Sequence, residues 1–479
     1  VTVYPGEQNH LPYDVVVERL HVDRPEPTPP EPTPAPDAEP GEKPEHPVAI
    51  PINGDWQTFP NQRAAEQAAY QEYKDNLRRN AQNFHISDDH LGEGGPKAKY
   101  QANVAAIKLL KHLEETTGQA TPEQQEVLSR YVGWGGLADA FDPDKSAWAA
   151  EFSELKELLT PEEYAAARAS TLNAHYTSPT VIRAIYEAVE KMGFRAGNIL
   201  EPSMGVGNFF GMLPESMAGS RLYGVELDSI SGRIAKQLYP KADITVAGFE
   251  TTDRRDFYDL AIGNVPFGQY QVNDKAYNKL GFNIHNYFFA KALDQVRPGG
   301  VVAFVTSRYT MDAKDSTVRR YLAQRAELLG AIRLPNDAFK KNAGTEVVSD
   351  ILFLQKRDRP LDIAPDWTQA GRTEDGFTVN QYFLDHPEMV LGRPTAESTQ
   401  YGKQDYTVAP IEGLELADQL HDAVKYIQGT YQEAALPELG EGEDIDESLP
   451  ADPNVKNYSY TVVDGAVYFR ENSRMVRPD

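Results

Sequence analysis

Glu201-Pro-Ser-Met-Gly205-Val-Gly207-Asn-Phe-Phe210 follows the apolar pair Ile199-Leu200, and its reading decides the fold of this 479-residue chain. A Gly-rich turn at the carboxyl end of a strand lets backbone approach a ligand where a Cβ would clash. The dinucleotide fingerprint asks for a third Gly three residues after the second; Phe210 stands there, which counts against a nicotinamide-type site. A purely structural turn is the competing reading of G-x-G alone. Nineteen residues after Gly207, a second strand-like run, Leu222-Tyr-Gly-Val-Glu226, ends in an acid. A carboxylate at that place can accept hydrogen bonds from ribose hydroxyls. A solvated strand-end acid would explain Glu226 by itself, whereas the joint spacing of turn and acid favours a nucleoside site.

Outward from this turn, strand-like runs recur at Ile244–Val246, Leu260–Gly263, Val301–Thr306, Leu328–Arg333 and Ile351–Leu354. Helical stretches at Ser229–Tyr239, Asn286–Val296 and Thr317–Gln324 fall between them. Strands alternating with helices predict an α/β fold, a doubly wound seven-stranded sheet covered on both faces. The last two strands have no helix between them and are expected to pair antiparallel.

The fourth of these strands runs into Asn264-Val265-Pro266-Phe267. An exocyclic aromatic amine is a poor nucleophile because its lone pair is delocalised into the ring. Two acceptors aimed at its hydrogens draw it toward a reactive tetrahedral form. Asn264 offers a side-chain oxygen and Val265 a backbone carbonyl; Pro266 stiffens the turn, and Phe267 presents a ring on which a flipped base could stack. An ordinary Asn–Pro loop is the rival reading. It loses ground once Gly205, Gly207 and Glu226 lie at the right distances upstream.

Composition bounds the rest. The chain has no Cys, which excludes a disulfide scaffold, Cys-ligated metal and a thiol nucleophile, and fits a reducing cytoplasm. No run of 18 apolar residues is present, so no membrane span is expected. The net charge of −25 makes non-specific coating of DNA an unsuitable role, yet residues 171–360 carry +4 while residues 361–479 carry −15, so a DNA-binding centre is not excluded. No P-loop motif and no G-x-S-x-G elbow occurs. His85, Asp88, Asp89 and His90 have no metal-site spacing and read as a solvated loop, and no metal is expected. The expected organisation is a short N-terminal segment over 1–24, a Pro-rich linker over 25–61, a helical region over 62–170, a catalytic domain over 171–360 and a C-terminal α+β accessory region over 361–479, a candidate for DNA contact. In the helical region Thr121-Pro and Thr160-Pro read as helix starts, and Tyr131–Gly136 as a turn around a buried Trp134. Val1 and the abrupt C-terminus suggest a piece of a longer protein.

The ordered set of motifs resembles the S-adenosylmethionine-dependent N6-adenine DNA methyltransferases. More closely, residues 84–479 resemble the methylase portion of large methylase–helicase proteins of conjugative elements and of phage anti-restriction proteins. The closer likeness is carried by Ser87–Gly95, Tyr131–Leu137, Glu201–Phe210, Gly263–Gly268 and Asn380–Leu391. The resemblance implies S-adenosylmethionine as cofactor, DNA adenine as substrate and, in a longer polypeptide, a helicase region beyond residue 479. By it, Tyr176 and Thr177 match the motif that touches the methionine end. Glu201, Pro202, Gly205, Gly207 and Asn208 match the first cofactor motif, Glu226 the ribose-binding acid, and Phe249 and Glu250 the residues around the cofactor's adenine. Asn264, Val265, Pro266 and Phe267 match the catalytic motif. Val265 replaces the family's first Pro; the position acts through its carbonyl, so Val keeps the acceptor and removes a φ restraint.

Two other functions compete. Enzymes that methylate a glutamine amide share an Asn-Pro-Pro-Tyr loop, and an inactive cofactor-binding or DNA-docking scaffold would carry the same fold. The basic set Arg308, Lys314, Arg319, Arg320, Arg325, Arg333, Lys340 and Lys341 reads equally as helix-surface charge or as phosphate contacts.

Overall fold

A computed structural model describes residues 47–52, 54–116, 118–171, 177–339, 347–398, 404–433 and, near the C-terminus, 449–450, 452, 455–456, 459–463, 466–471 and 474–477. Residues 25–46 of the expected Pro-rich linker, the apolar run Val15–Val17, Tyr176, Lys340, Lys341 and the acidic run at 438–447 lie outside the described residues, whereas the rest of that linker holds two strands.

The chain divides into two compact units at Arg79/Asn80. In the first, strands β1 (Val48–Ile52) and β2 (Asp55–Phe59) form an antiparallel hairpin whose turn uses Gly54 at φ +89°. Helix α1 (Gln62–Asn80) follows, and the Asn61 side chain accepts from the Ala64 N–H at its start.

The second unit opens with helices. In α2 (Pro96–Glu115) the buried residues Val104, Ile107, Leu110 and Leu113 recur every third residue and form one apolar stripe. Helices α3 (Pro122–Ser129) and α5 (Pro161–Ser170), the latter after α4 (Ala149–Leu158), start with complete capping boxes on Thr121 and Thr160. Trp134 is buried and meets the rings of Phe141, Tyr100 and Tyr131 edge-on at 5.2, 6.3 and 6.4 Å.

After α6 (Pro179–Lys191) comes the sheet: β3 (Asn198–Glu201), β4 (Arg221–Glu226), β5 (Asp243–Val246), β6 (Tyr258–Asn264), β7 (Val296–Ser307), β8 (Ala326–Arg333) and β9 (Ser349–Lys356). All seven expected strands are present. Their spatial order is β5-β4-β3-β6-β7-β9-β8, with β9 antiparallel to both neighbours. This is the methyltransferase fold that the resemblance implies. Interior strands covered on both faces must be apolar throughout, and Val301–Val305 and Ile351–Leu354 are at most 2% exposed. The helices among these strands are α7 (Asn208–Gly211), α8 (Ser229–Leu238), α9 (Ile284–Gln295), α10 (Tyr309–Asp312) and α11 (Thr317–Arg325).

From β3 the chain builds outward through β4 to β5 on one side and then crosses back to β6 on the other side of β3. The β3–β6 pairing ends at Ile199↔Leu260 and Leu200↔Ala261, whereas β6 stays paired with β7 as far as Asn264↔Val305. The two strands therefore part at their carboxyl ends, where α/β sheets open a crevice.

The accessory region closes the β8 edge. The Leu391 N–H donates to the Arg333 carbonyl at 2.9 Å, and the Ala331 N–H donates to the Tyr382 hydroxyl at 3.2 Å. Covering an edge strand removes a template for unwanted pairing. Within this region Tyr460–Val463 pairs antiparallel with Ala466–Glu471, and a helix spans Leu416–Val424.

The phosphate reading of the basic set fails for three members. Arg308, Arg319 and Arg333 are buried. Arg333 makes paired hydrogen bonds to Asp350 (2.8 and 2.9 Å) and Asp312 (both 2.9 Å). Arg308 reaches Asp312 and Asp405, and the Arg319 Nε donates to the Thr368 carbonyl. Lys314 and Arg320 are exposed. Arg325 lies over the Tyr321 ring, 3.6 Å from its centre.

Candidate active site

The crevice at the carboxyl ends of β3, β4 and β6 is a cavity of about 260 Å³. Its walls include Thr177, Glu201, Gly205, Asn208, Glu226, Asn264, Val265 and Pro266. Residues as far apart in sequence as Thr177 and Pro266, 89 positions, thus converge on one space, as the motif spacing requires.

Two glycines of the turn do different work. Gly205 has φ +56°, and a Cβ built on it would meet nothing within 4 Å, so this residue faces open space in the cavity. Gly207 has φ +87° and is not in the cavity wall; a Cβ there would lie 2.5 Å from the Tyr239 ring and 2.9 Å from Met204. A Cβ at Gly207 would thus meet the core and not the cavity. Phe210, in place of the third Gly, packs edge-on against Tyr239 at 5.8 Å.

Glu226, at the end of β4, accepts from the Gly205 N–H on Oε2 and from the Asp228 N–H on Oε1, both at 2.7 Å. Each oxygen keeps a second lone pair. Burial pushes its pKa up to about 7, against the pull of those backbone donors. Glu201 is 2% exposed, and its Oε2 is buried without a partner. Burial first, and then the charge of Glu226, holds its pKa well above the usual carboxylate range. The described cavity wall carries three acids, Glu201, Glu226 and Asp228, and no Lys, Arg or His. Such a space suits a ligand bearing positive charge.

These shifts have a consequence for stability. Over the range where Glu201 is ionised in the unfolded chain but still protonated in the folded one, the folded state binds the extra proton. Stability therefore falls as pH rises through that range. Glu201→Gln should match the parent in thermal melting at pH 5 and melt higher at pH 8; equal melting temperatures at both values would contradict the assignment.

Asn264 ends β6. Its Nδ2 donates to the Thr177 Oγ1 at 3.0 Å, and its Oδ1 is buried without a partner. The orientation of the amide is thus set by Thr177, and the acceptor of this cavity-lining residue is left unpaired. The Val265 N–H donates to the Val305 carbonyl at 3.1 Å, anchoring the loop to β7. Phe267 is half-buried against the core and does not line the cavity. Pro202 is buried beside Glu201 and also lies outside the wall.

Phe249 and Glu250 are likewise absent from the wall. Phe249 is 3% exposed, with its ring 4.9 Å from that of Phe288, so apolar packing takes up the side chain expected to flank a ligand ring. Glu250 is exposed. Sequence reasoning missed other wall residues: Tyr131, Val132, Gly133 and Ser170 from the helical region, and Asp228 and Ser231 at the start of α8. The only signal for the first three was that they fall in a stretch carrying the family resemblance.

No protein-family model matches the chain. It is 28% identical over 280 residues to Defense against restriction protein B of Escherichia phage P1, covering 57% of this chain and 11% of that protein. It is 38% identical over 93 residues to the type II methyltransferase M.CvrRI of Paramecium bursaria Chlorella virus XZ-6E, covering 19% of this chain and 24% of that one. The chain thus spans a minor part of both relatives. A Listeria monocytogenes crystal structure, provisionally assigned as a class I S-adenosylmethionine-dependent methyltransferase, is 17% identical with a TM-score of 0.36, over 56% of this chain and 90% of that one. A superposition of that quality adds nothing to the strand order itself. Among the described residues no helix is long and apolar enough to cross a membrane. The likeness to S-adenosylmethionine-dependent DNA methyltransferases that the motifs carry is thus joined by sequence similarity to a phage anti-restriction protein and a viral type II methyltransferase.

Proposed function

We propose that the chain is a DNA adenine N6-methyltransferase that uses S-adenosylmethionine. The observation that carries this reading is Asn264: it lines the cavity, its Nδ2 is tied to Thr177, and its Oδ1 is buried and unpartnered. A buried acceptor without a partner is costly, and an amine donor supplied by a substrate would remove that cost.

The cavity fits the cofactor's chemistry. Gly205 leaves space beside the turn, and Glu226 offers its remaining lone pairs to ribose hydroxyls. The unpartnered Glu201 Oε2 suits the ammonium of a methionine end, and a nearby cation would lower the raised Glu201 pKa. When bound, S-adenosylmethionine supplies a methyl group on a positively charged sulfur. Asn264 Oδ1 and the Val265 carbonyl accept from the two hydrogens of the adenine amine and direct its lone pair away from the ring. Pro266 restrains the loop, and Phe267 is the aromatic side chain nearest in sequence for stacking an extruded base. Positioning and fixed dipoles supply most of the rate enhancement, with no covalent enzyme intermediate. DNA and, in a longer polypeptide, a helicase region are the proposed partners.

Gly205→Leu should weaken binding of S-adenosylhomocysteine at least tenfold by calorimetry, because its side chain would enter the cavity. Unchanged affinity would remove the turn from the site. The function itself is tested by incubating the protein with S-adenosylmethionine and DNA of mixed sequence, then digesting the DNA for nucleoside mass spectrometry. N6-methyladenine is the expected product. Methylated glutamine in a parallel protein-substrate reaction, with unmodified DNA, would overturn the DNA reading. Cofactor binding with no transfer to either substrate would leave a scaffold.

A further inference from the structure

The helical region contributes a loop to the cavity to which the motifs assign no site role. Tyr131, Val132 and Gly133 follow α3, and all three line the cavity together with Glu226, Asp228 and Ser231. The loop is fixed from behind by a single side chain. Asn103, wholly buried in α2, donates from Nδ2 to the Gly133 carbonyl at 2.6 Å and accepts the Val132 N–H on Oδ1 at 2.9 Å. Both ends of its amide are therefore used on two consecutive residues of the loop.

Further ties hold the loop in place. The Tyr131 N–H donates to the Leu128 carbonyl at 3.1 Å. The Gly136 N–H donates to the Thr171 carbonyl at 3.3 Å, beside the wall residue Ser170. Gly133 sits at φ +71°, a backbone shape that side chains disfavour. Arg233, one helical turn from Ser229 on α8, makes two hydrogen bonds to Glu114 of α2, at 2.7 and 2.9 Å. The helix that carries Asp228 as its cap and the helix that carries Asn103 are thereby held together.

We infer that Tyr131–Gly133 is the outer wall of the cofactor site at its nucleoside end, and that Asn103 is the positioning residue that sets this wall. The end is identified by the company the loop keeps. Glu226, Asp228 and Ser231 stand at the β4–α8 junction, whereas Asn264 and Thr177 mark the opposite, transferring end. An amide bonded at both ends orders the loop before ligand arrives, so the ligand does not have to order it on binding. A catalytic domain beginning at residue 171 would lack this wall. The inference rests on the cofactor reading of the cavity and extends it to a segment outside the expected catalytic domain.

The test uses the full 479-residue chain and S-adenosylhomocysteine as probe. Amide hydrogen exchange of the wild-type protein should slow on ligand addition both in peptides covering 203–208 and in peptides covering 130–136. Asn103→Ala should raise Kd for the probe, and KM for S-adenosylmethionine, tenfold or more. Its kcat at saturating cofactor should stay within about twofold of wild type, a split that general loosening of the fold would not give. Protection at 203–208 without protection at 130–136 would overturn the inference and leave the cofactor reading standing. So would a well-folded Asn103→Ala with unchanged Kd. No probe binding by wild-type protein would overturn both. If Asn103→Ala does not fold, the exchange pattern of the wild type alone decides.

Discussion

Asn264→Ala should lower the methyl-transfer rate by about 10²–10³, the usual cost of removing one well-placed polar group from a site that stabilises a transition state. The loss should appear in single-turnover transfer with the cofactor prebound, and affinity for S-adenosylhomocysteine should change little. The reason lies in how the side chain is held. Nδ2 is committed to the Thr177 hydroxyl, so the acceptor cannot swing away, and no described protein group competes for Oδ1. Asn264→Asp keeps an acceptor but exchanges the donated bond to Thr177 for one the hydroxyl must donate. It should fall between wild type and Asn264→Ala. If wild-type protein methylates adenine and Asn264→Ala does so equally fast, the loop at 264–267 is structural.

Arg333→Ala should destabilise the folded protein by roughly 3–5 kcal/mol, the range for removing one partner of a buried ion pair. Arg333 is fully buried between Asp312 and Asp350, and Asp350 is fully buried as well. Burial opposes the guanidinium charge, yet the two carboxylates hold its pKa above the ordinary value. Without the cation, two anions would face each other in the core. The effect should reach the accessory region, because Asp312 Oδ1 also accepts the Asn380 N–H at 2.9 Å and the Arg333 carbonyl accepts from Leu391. A lower denaturation midpoint should therefore be accompanied by faster amide exchange at 380–391. A variant as stable as the parent would show that Arg308, which also reaches Asp312, compensates fully.

The sheet was legible because buried strands must be apolar along their whole length, and runs such as Val301–Val305 have no other economical explanation. The antiparallel return of β9 was legible from the missing helix before it. The charged residues were harder. Arg308, Arg319 and Arg333 look the same in sequence as surface cations, and only their distant partners, Asp350, Asp405 and Thr368, reveal that they are interior. The turn motif gave the place of the site but not the task of each glycine. Whether a missing Cβ serves a ligand or a neighbouring ring depends on what stands opposite, and Tyr239 lies 32 residues beyond Gly207. Phe249 presents a related difficulty: an aromatic near a strand end fits core and ligand equally in sequence, and only the fold brings its ring within 4.9 Å of that of Phe288. The loop at 131–133 reaches the cavity only because Asn103, 29 and 30 residues before its two partners, turns it there. No local pattern encodes such a bracket.

The parting of β3 and β6 beyond Leu200 and Ala261 divides the site into halves that can change separately. One half hangs on β3 and β4 and holds Gly205, Glu226 and the α8 cap; the other hangs on β6 and β7 and holds Asn264 to Phe267. Past that fork no ladder hydrogen bond crosses between them. Descent with modification can therefore re-tool the acceptor loop for another nucleophile while the ligand-holding half is inherited intact. Thr177, just before α6, hangs on neither pair of strands, yet its hydroxyl accepts from Asn264, so a lineage that alters one of these two should be found to alter the other.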